Sequence, residues 1–203
     1  MHYRKLLEGV NAYYCERITK IDEFPKELYD EETDYFEALD TQKSFSERVR
    51  IIVNKWGKCR VHIDDKKLQQ VLTVFQQDHR SAVSWEITTT SLWENHEDII
   101  KIFSMFVEVV KYTGASKTLH ILNPKFFMMW DEDIRDRWGC SGNGEGYFNF
   151  LSRSQREIQE VLQTYTKEQD TTEEISQRIY TGRKKTIVKL LDEYNWAKWQ
   201  EWI

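Results

Sequence analysis

Apolar positions recur at helical spacing along nearly the whole chain. Leu6, Leu7, Val10, Tyr13 and Tyr14 form one stripe. Pro25 suits a first helical position and opens an element whose inner face would be Leu28, Tyr35, Phe36 and Leu39. Phe45, Val49, Ile52, Val53 and Trp56 make the next stripe, which Gly57 would end as a left-handed cap. Asp64 caps a further helix with Leu68, Val71, Leu72 and Phe75 inward. Hydroxyl and β-branched side chains at Thr88-Thr89-Thr90-Ser91 disfavour a helix, so Ser81–Trp93 reads as a loop or one short extended piece.

The pattern resumes over Glu97–Tyr112, with Ile99, Ile100, Phe103, Phe106, Val107 and Val110 inward and Gly114 as the stop. A short helix, Ser116–Asn123, halts at Pro124, which forces its predecessor out of the helical region. Asp131 caps a helix through Trp138 that ends at Gly139. The turn Cys140–Gly146 enters a long helix from about Tyr147 to Lys167, and Thr171-x-x-Glu174 is a capping box before Ile175 and Ile179. The last helix runs from Arg183 to about Trp202 and buries Ile187, Leu190, Leu191 and Tyr194. The pattern predicts an all-α protein of about nine to ten helices. They would form a compact orthogonal bundle, a single domain over 1–203 built as one or two lobes, with a hairpin-like element at 97–139.

Composition supports this class. Only 8 glycines and 2 prolines serve 203 residues, too few for the turns of an all-β sandwich. Aromatics at 14% exclude a disordered chain. The formal net charge of −5 argues at first against a nucleic-acid binder. Its distribution changes that picture. Asp22–Asp40 holds nine acids and one lysine, so the rest of the chain is slightly basic. This acidic segment is a candidate surface for a protein partner, as are Trp196, Trp199 and Trp202.

Cys15, Cys59 and Cys140 have no metal-ligand spacing and read as free thiols in a reducing compartment, so no metal or cofactor is expected. The first residues run quickly into charge and lack the apolar core of a signal peptide. The stretch Ile99–Val110 is broken by Lys101, Ser104 and Glu108 and is too short to span a bilayer. A soluble, cytoplasmic protein without a membrane contact is expected.

Candidate chemistry concentrates in Tyr112-Thr113-Gly114-Ala115-Ser116-Lys117-Thr118-Leu119-His120 and Trp130-Asp131-x-x-Ile134. Backbone N–H groups at Gly114 and Ser116 would meet a phosphate at a helix start. A helix reversal that joins Lys117 to Asp131 would pair an amine nucleophile with a charge-stabilising carboxylate. His120, one turn beyond Lys117, would line the same cleft or sit hydrogen-bonded in the core. Trp130 would stack on an extruded base or pack in the core. Arg183 and Lys184 mark a basic helix start, either a phosphate contact or a solvated end. The Gly-rich loop 139–146 follows no strand and closes on no Gly-Lys-Ser/Thr, so it is not a nucleotide fingerprint.

The order Gly114, Lys117-Thr118, Asp131-x-x-Ile134 resembles the helix–hairpin–helix superfamily of base-excision DNA glycosylases, in particular the 8-oxoguanine glycosylase type. The resemblance spans about residues 97–150. It implies a two-lobed helical body and a hairpin, here Gly114, Ser116 and Thr118, that grips DNA backbone. It implies that Asp131 serves glycosidic-bond chemistry and that Lys117 forms a Schiff base with the sugar. Three departures stand out: Ala115-Ser116 replaces the second hairpin glycine, the Lys117–Asp131 interval is short, and no cysteine cluster follows. The expected function is DNA binding with cleavage of the N-glycosidic bond of a damaged base; the alternative is a non-catalytic helical module that binds protein.

Overall fold

The computed structural model describes residues 1–20, 43–56, 62–169, 175, 185–201 and 203. Among them the chain is all-helical, with seven α-helices rather than nine to ten. They are α1 (Tyr3–Lys20), α2 (Phe45–Ile51), α3 (Asp65–Asp78), α4 (His96–Leu122), α5 (Glu132–Arg137), α6 (Gly144–Gln169) and α7 (Ile187–Trp199). The expected helices over 25–39 and 171–179, and the acidic segment 22–40, lie outside the described residues.

The local rules that predict these elements operate where the side chains can be seen. Ser44 and Glu47 complete a reciprocal capping box at the start of α2. That helix continues as one π-turn, Ile52–Trp56, which keeps Val49, Ile52 and Val53 in the core. The Asp64 carboxylate accepts from the N–H groups of Lys66 and Lys67 at 2.9 and 3.2 Å and starts α3. Leu68, Leu72 and Phe75 then face inward. The segment Ser81–Trp93 has no strand; it is a 3-10 turn, Arg80–Ser84, followed by tight turns.

Two boundaries differ from expectation for a physical reason. Residues 96–122, α4, are two helical stretches that meet at a break at Lys111 (φ 61°, ψ 172°), not at Gly114. Gly114 is helical and buried, and a Cβ there would lie 3.0 Å from the Val110 Cβ and 3.2 Å from Val53 Cγ1. Close packing, not chain reversal, requires its small size, and no hairpin turn occurs at Gly114–Ser116. The last helix begins at Ile187 rather than Arg183, because Thr186 caps it by accepting from Lys189 N–H at 3.1 Å.

Helix α7 is central. It runs along α1, where Gly9 lets Tyr194 approach so closely that a Cβ would clash at 2.4 Å. It also contacts α5 and α6, while α6 packs on α4 and α2–α3 close over α4. An aromatic cluster of Phe103, Trp130, Tyr147 and Phe150 fills the middle, with ring centroids 4.1–6.3 Å apart. The Tyr147 hydroxyl, fully enclosed, donates to Met128 O at 2.8 Å, and burial drives its pKa well up. This core anchors the segment that ends at Asp131.

Candidate functional site

Lys117 and Asp131 are brought together by a backbone clamp one residue before each of them. The Ser116 hydroxyl accepts from Trp130 N–H at 3.2 Å and shares its one hydrogen between Trp130 O and Thr113 O, each 3.0 Å away. Ser116 and Trp130 are both buried, Ser116 completely. Residues 117 and 131 follow directly, so the clamp holds their backbones side by side. Trp130 cannot shift, because its ring is wedged among Phe103, Tyr147 and Phe150.

Asp131 has two tasks. One carboxylate oxygen accepts from Ile134 N–H at 2.9 Å and caps α5. The carboxyl is half-buried, and that burial raises its pKa above the usual aspartate range. The Ile134 N–H opposes the rise, the Asp192 carboxylate adds to it, and the Lys117 ammonium opposes it. Lys117 itself is half-buried.

A buried charged layer, formed by Lys185 and by Lys189, Asp192 and Glu193 of α7, lies near this pair. Lys189 Nζ is 3.1 Å from Asp192 Oδ2, and Lys185 Nζ is 2.5 Å from Glu193 Oε1, with all four side chains enclosed. Burial pushes the Glu193 carboxyl up, while Lys189 and Lys185 oppose the shift. Its second oxygen, Oε2, is buried without a hydrogen-bond partner. Such charges are costly to enclose unless paired, so the layer acts as one network. The sequence stripe Ile187, Leu190, Leu191, Tyr194 leaves these residues on the face expected to meet water. Only the i, i+3 spacing of Lys189 and Asp192 signals a pair.

The other proposed site residues are placed differently. Gly114 is buried against Val110 and Val53. Thr118 is buried and donates to Gly114 O at 2.8 Å, inside its own helix. His120 is 2% exposed, with Nδ1 2.8 Å from Phe127 O, which makes it a hydrogen-bonded core histidine. Trp130, 1% exposed, is core and has no face to offer a base. Helical burial also removes Gly114 and Ser116 as a phosphate cradle. Arg183 and Lys184 lie outside the described residues.

The Gly-rich loop folds back on itself as the entry to α6. Asn143 Oδ1 accepts from Gly146 N–H at 2.9 Å and from the Ser141 hydroxyl at 2.9 Å. Trp196 packs against the core and meets Trp199 edge to face at 4.9 Å, docking the end of α7; Trp202 lies outside the described residues. Cys15 is exposed and Cys140 is buried, and Cys59 is outside the described residues. Among the described residues no group of three or more His, Cys, Asp or Glu could hold a metal ion, and no helix is long and apolar enough to cross a membrane.

Comparison with known proteins returns no match to a family model, a curated protein or a solved structure.

Proposed function

We propose that this chain is a DNA-binding protein resembling the helix–hairpin–helix glycosylases, with Lys117 and Asp131 acting on the N-glycosidic bond of a damaged base. The observation that supports this reading is the Ser116–Trp130 clamp, which holds the backbones before Lys117 and Asp131 together, with the Lys117 ammonium opposing the burial-raised pKa of the Asp131 carboxyl. Perturbed carboxyls beside a nucleophilic side chain are a recurrent feature of reactive sites. In the proposed step the Lys117 amine attacks the sugar C1′. The C1′–N bond breaks, a Lys117 Nζ–C1′ bond forms, and the proton lost by the amine leaves with the base; the C1′–O4′ bond then breaks as the remaining Nζ proton passes to O4′, giving the imine that borohydride reduces. The Asp131 carboxylate stabilises the positive charge that develops on the sugar.

The test is incubation with duplexes carrying oxidised, alkylated or abasic sites, followed by borohydride reduction. A covalent adduct is expected, and Lys117→Ala should abolish it. Asp131→Asn is the discriminating variant, since Asn caps a helix as well as Asp does but carries no charge. It should leave the melting temperature nearly unchanged and slow adduct formation by about 10²-fold or more. No adduct with any lesion, or an Asp131→Asn variant as fast as the parent, overturns the proposal. Absence of salt-dependent DNA retention as well would favour the protein-binding alternative.

A further inference from the structure

Burial of Gly114, Ser116 and Thr118 leaves the proposed chemistry without a grip on the DNA backbone. A different part of the molecule has the charge for it. An open cleft of about 790 Å³ lies where α1, α5, α6 and α7 meet. Its rim carries Lys5, Arg137, Arg153, Arg156 and Lys198, all exposed. The carboxylates lining it are those of Glu157 and Glu160, so its side chains sum to +3 in a chain whose total is −5. None of the five cations forms an ion pair among the described residues.

Collecting five unpaired cations around one concavity is unfavourable unless an anion shares the space, because the like charges repel and the cleft walls focus their field. Glu160 stays ionised but is taken up first by the N-terminal ammonium, which with Arg156 lowers its pKa, so it offsets that sixth cation before the other five. Burial holds the Glu157 carboxyl above its usual range, which disfavours its charge. Arg153 is pre-aimed: one guanidinium N–H donates to Trp138 O at 2.6 Å, which leaves its other donors free. Arg153 and Arg156 stand one turn apart on α6, a side-by-side presentation suited to successive oxygen anions.

We infer that this cleft is the binding track for the phosphodiester backbone of a nucleic acid. A single small anion would reach two or three of these cations. Five of them spread over four helices suit a chain of phosphates. Three of the five are arginines, whose planar fork matches phosphate better than an ammonium does. Position ties the cleft to the proposed reaction. Arg137 ends the same six-residue helix that Asp131 caps, so the track begins about 9 Å along the α5 axis from Asp131. This assignment of the grip rests on the DNA-binding reading given above, but its test is separable.

The test is fluorescence anisotropy of the full chain with labelled, undamaged single-stranded and duplex oligonucleotides over a salt series. It compares the parent, the triple variant Arg137→Gln/Arg153→Gln/Arg156→Gln and, as control, Arg80→Gln, which is exposed and outside this cleft. The triple variant should weaken duplex binding at least tenfold at low salt. It should also flatten the slope of log K against log salt by about 2 to 3, near 0.9 for each phosphate no longer neutralised. Arg80→Gln should behave as the parent. An unchanged slope and affinity in a triple variant with parental helicity and melting temperature overturns the assignment. So does equal binding of labelled polyglutamate, which would make the cleft a general anion surface. Cleft-dependent DNA binding with no borohydride adduct would leave this inference standing and sink the catalytic one; the opposite pattern would do the reverse.

Discussion

Replacing Lys111 with glycine should stabilise the protein, although the residues on either side are helical and glycine ordinarily weakens a helix. Lys111 has φ 61° and ψ 172°, a backbone region that is almost exclusive to glycine because Cβ crowds the neighbouring peptide. Holding a side chain there costs about 1–3 kcal/mol. The exposed Lys111 side chain makes no hydrogen bond or ion pair among the described residues, so deleting it removes no stabilising interaction. Against the relief stands the extra entropy of a glycine in the unfolded chain, about 0.5–1 kcal/mol. The difference favours Lys111→Gly by about 0.5–2 kcal/mol, equivalent to an upward shift of about 1–8 °C in Tm for a chain of this size. Lys111→Ala, which retains the Cβ, should move Tm by much less. Urea and thermal denaturation followed by helical circular dichroism would read all three proteins. A Lys111→Gly variant that loses about 1 kcal/mol, as a glycine does within a regular helix, would refute the strain argument.

Four further outcomes follow from individual side chains. Gly146→Ala would place a Cβ 1.8 Å from the Ser141 carbonyl oxygen, so it should cost about 2–3 kcal/mol in urea denaturation, the upper part of the overpacking range. Asn123→Ala removes the donor to Ala82 O (2.9 Å) and Trp85 O (2.8 Å), and should cost about 2–4 kcal/mol for two stranded carbonyls, measured the same way. Glu157 is raised in pKa by burial, so the folded state holds its proton more tightly than the unfolded chain and stability falls as pH climbs from the usual Glu range through the raised value. Glu157→Gln should therefore stabilise at neutral pH, with a gain that disappears in melts below about pH 4. If Asp131 works as a carboxylate, its raised pKa should move the acid limb of base release above about pH 4, and a rate that stays flat down to that pH counts against the assigned role.

Much of the helical framework is legible in the sequence because caps and stripes are local. Asp64, Asp131 and the inward set Leu68, Leu72 and Phe75 do what their spacing predicts. The break in α4 falls elsewhere for an equally definite reason. A glycine between two helical patterns reads as a turn, yet Gly114 is small so that Val53 can pack on it, and the actual break is at a lysine that no local preference would nominate. The charged layer on α7 escapes sequence reasoning because amphipathic patterns assign each helix one wet face. This helix is covered on several sides, so Lys189, Asp192 and Glu193 are enclosed although their residue types suggest solvent. The cationic cleft gathers residues from 5 to 198, a juxtaposition that only the packing of four helices creates.

The placement of Lys117 next to Asp131 does not depend on their mutual attraction, and this bears on how the pair can work. Two opposite charges half-exposed at a surface gain little from each other, about 0–1 kcal/mol, and would not by themselves order a chain. The order comes from Ser116 and Trp130, whose reciprocal hydrogen bonds are buried and backed by Phe103, Tyr147 and Phe150. Removing either charge therefore leaves the other where it was, with its cap or its helix intact. Lys117→Ala should leave Asp131 capping α5 while its carboxyl, deprived of the ammonium that opposes the burial effect, shifts further up. A carboxyl held by the core rather than by its partner keeps its position when Lys117 changes charge. The proposed attack by Lys117 on the sugar would draw on that independence.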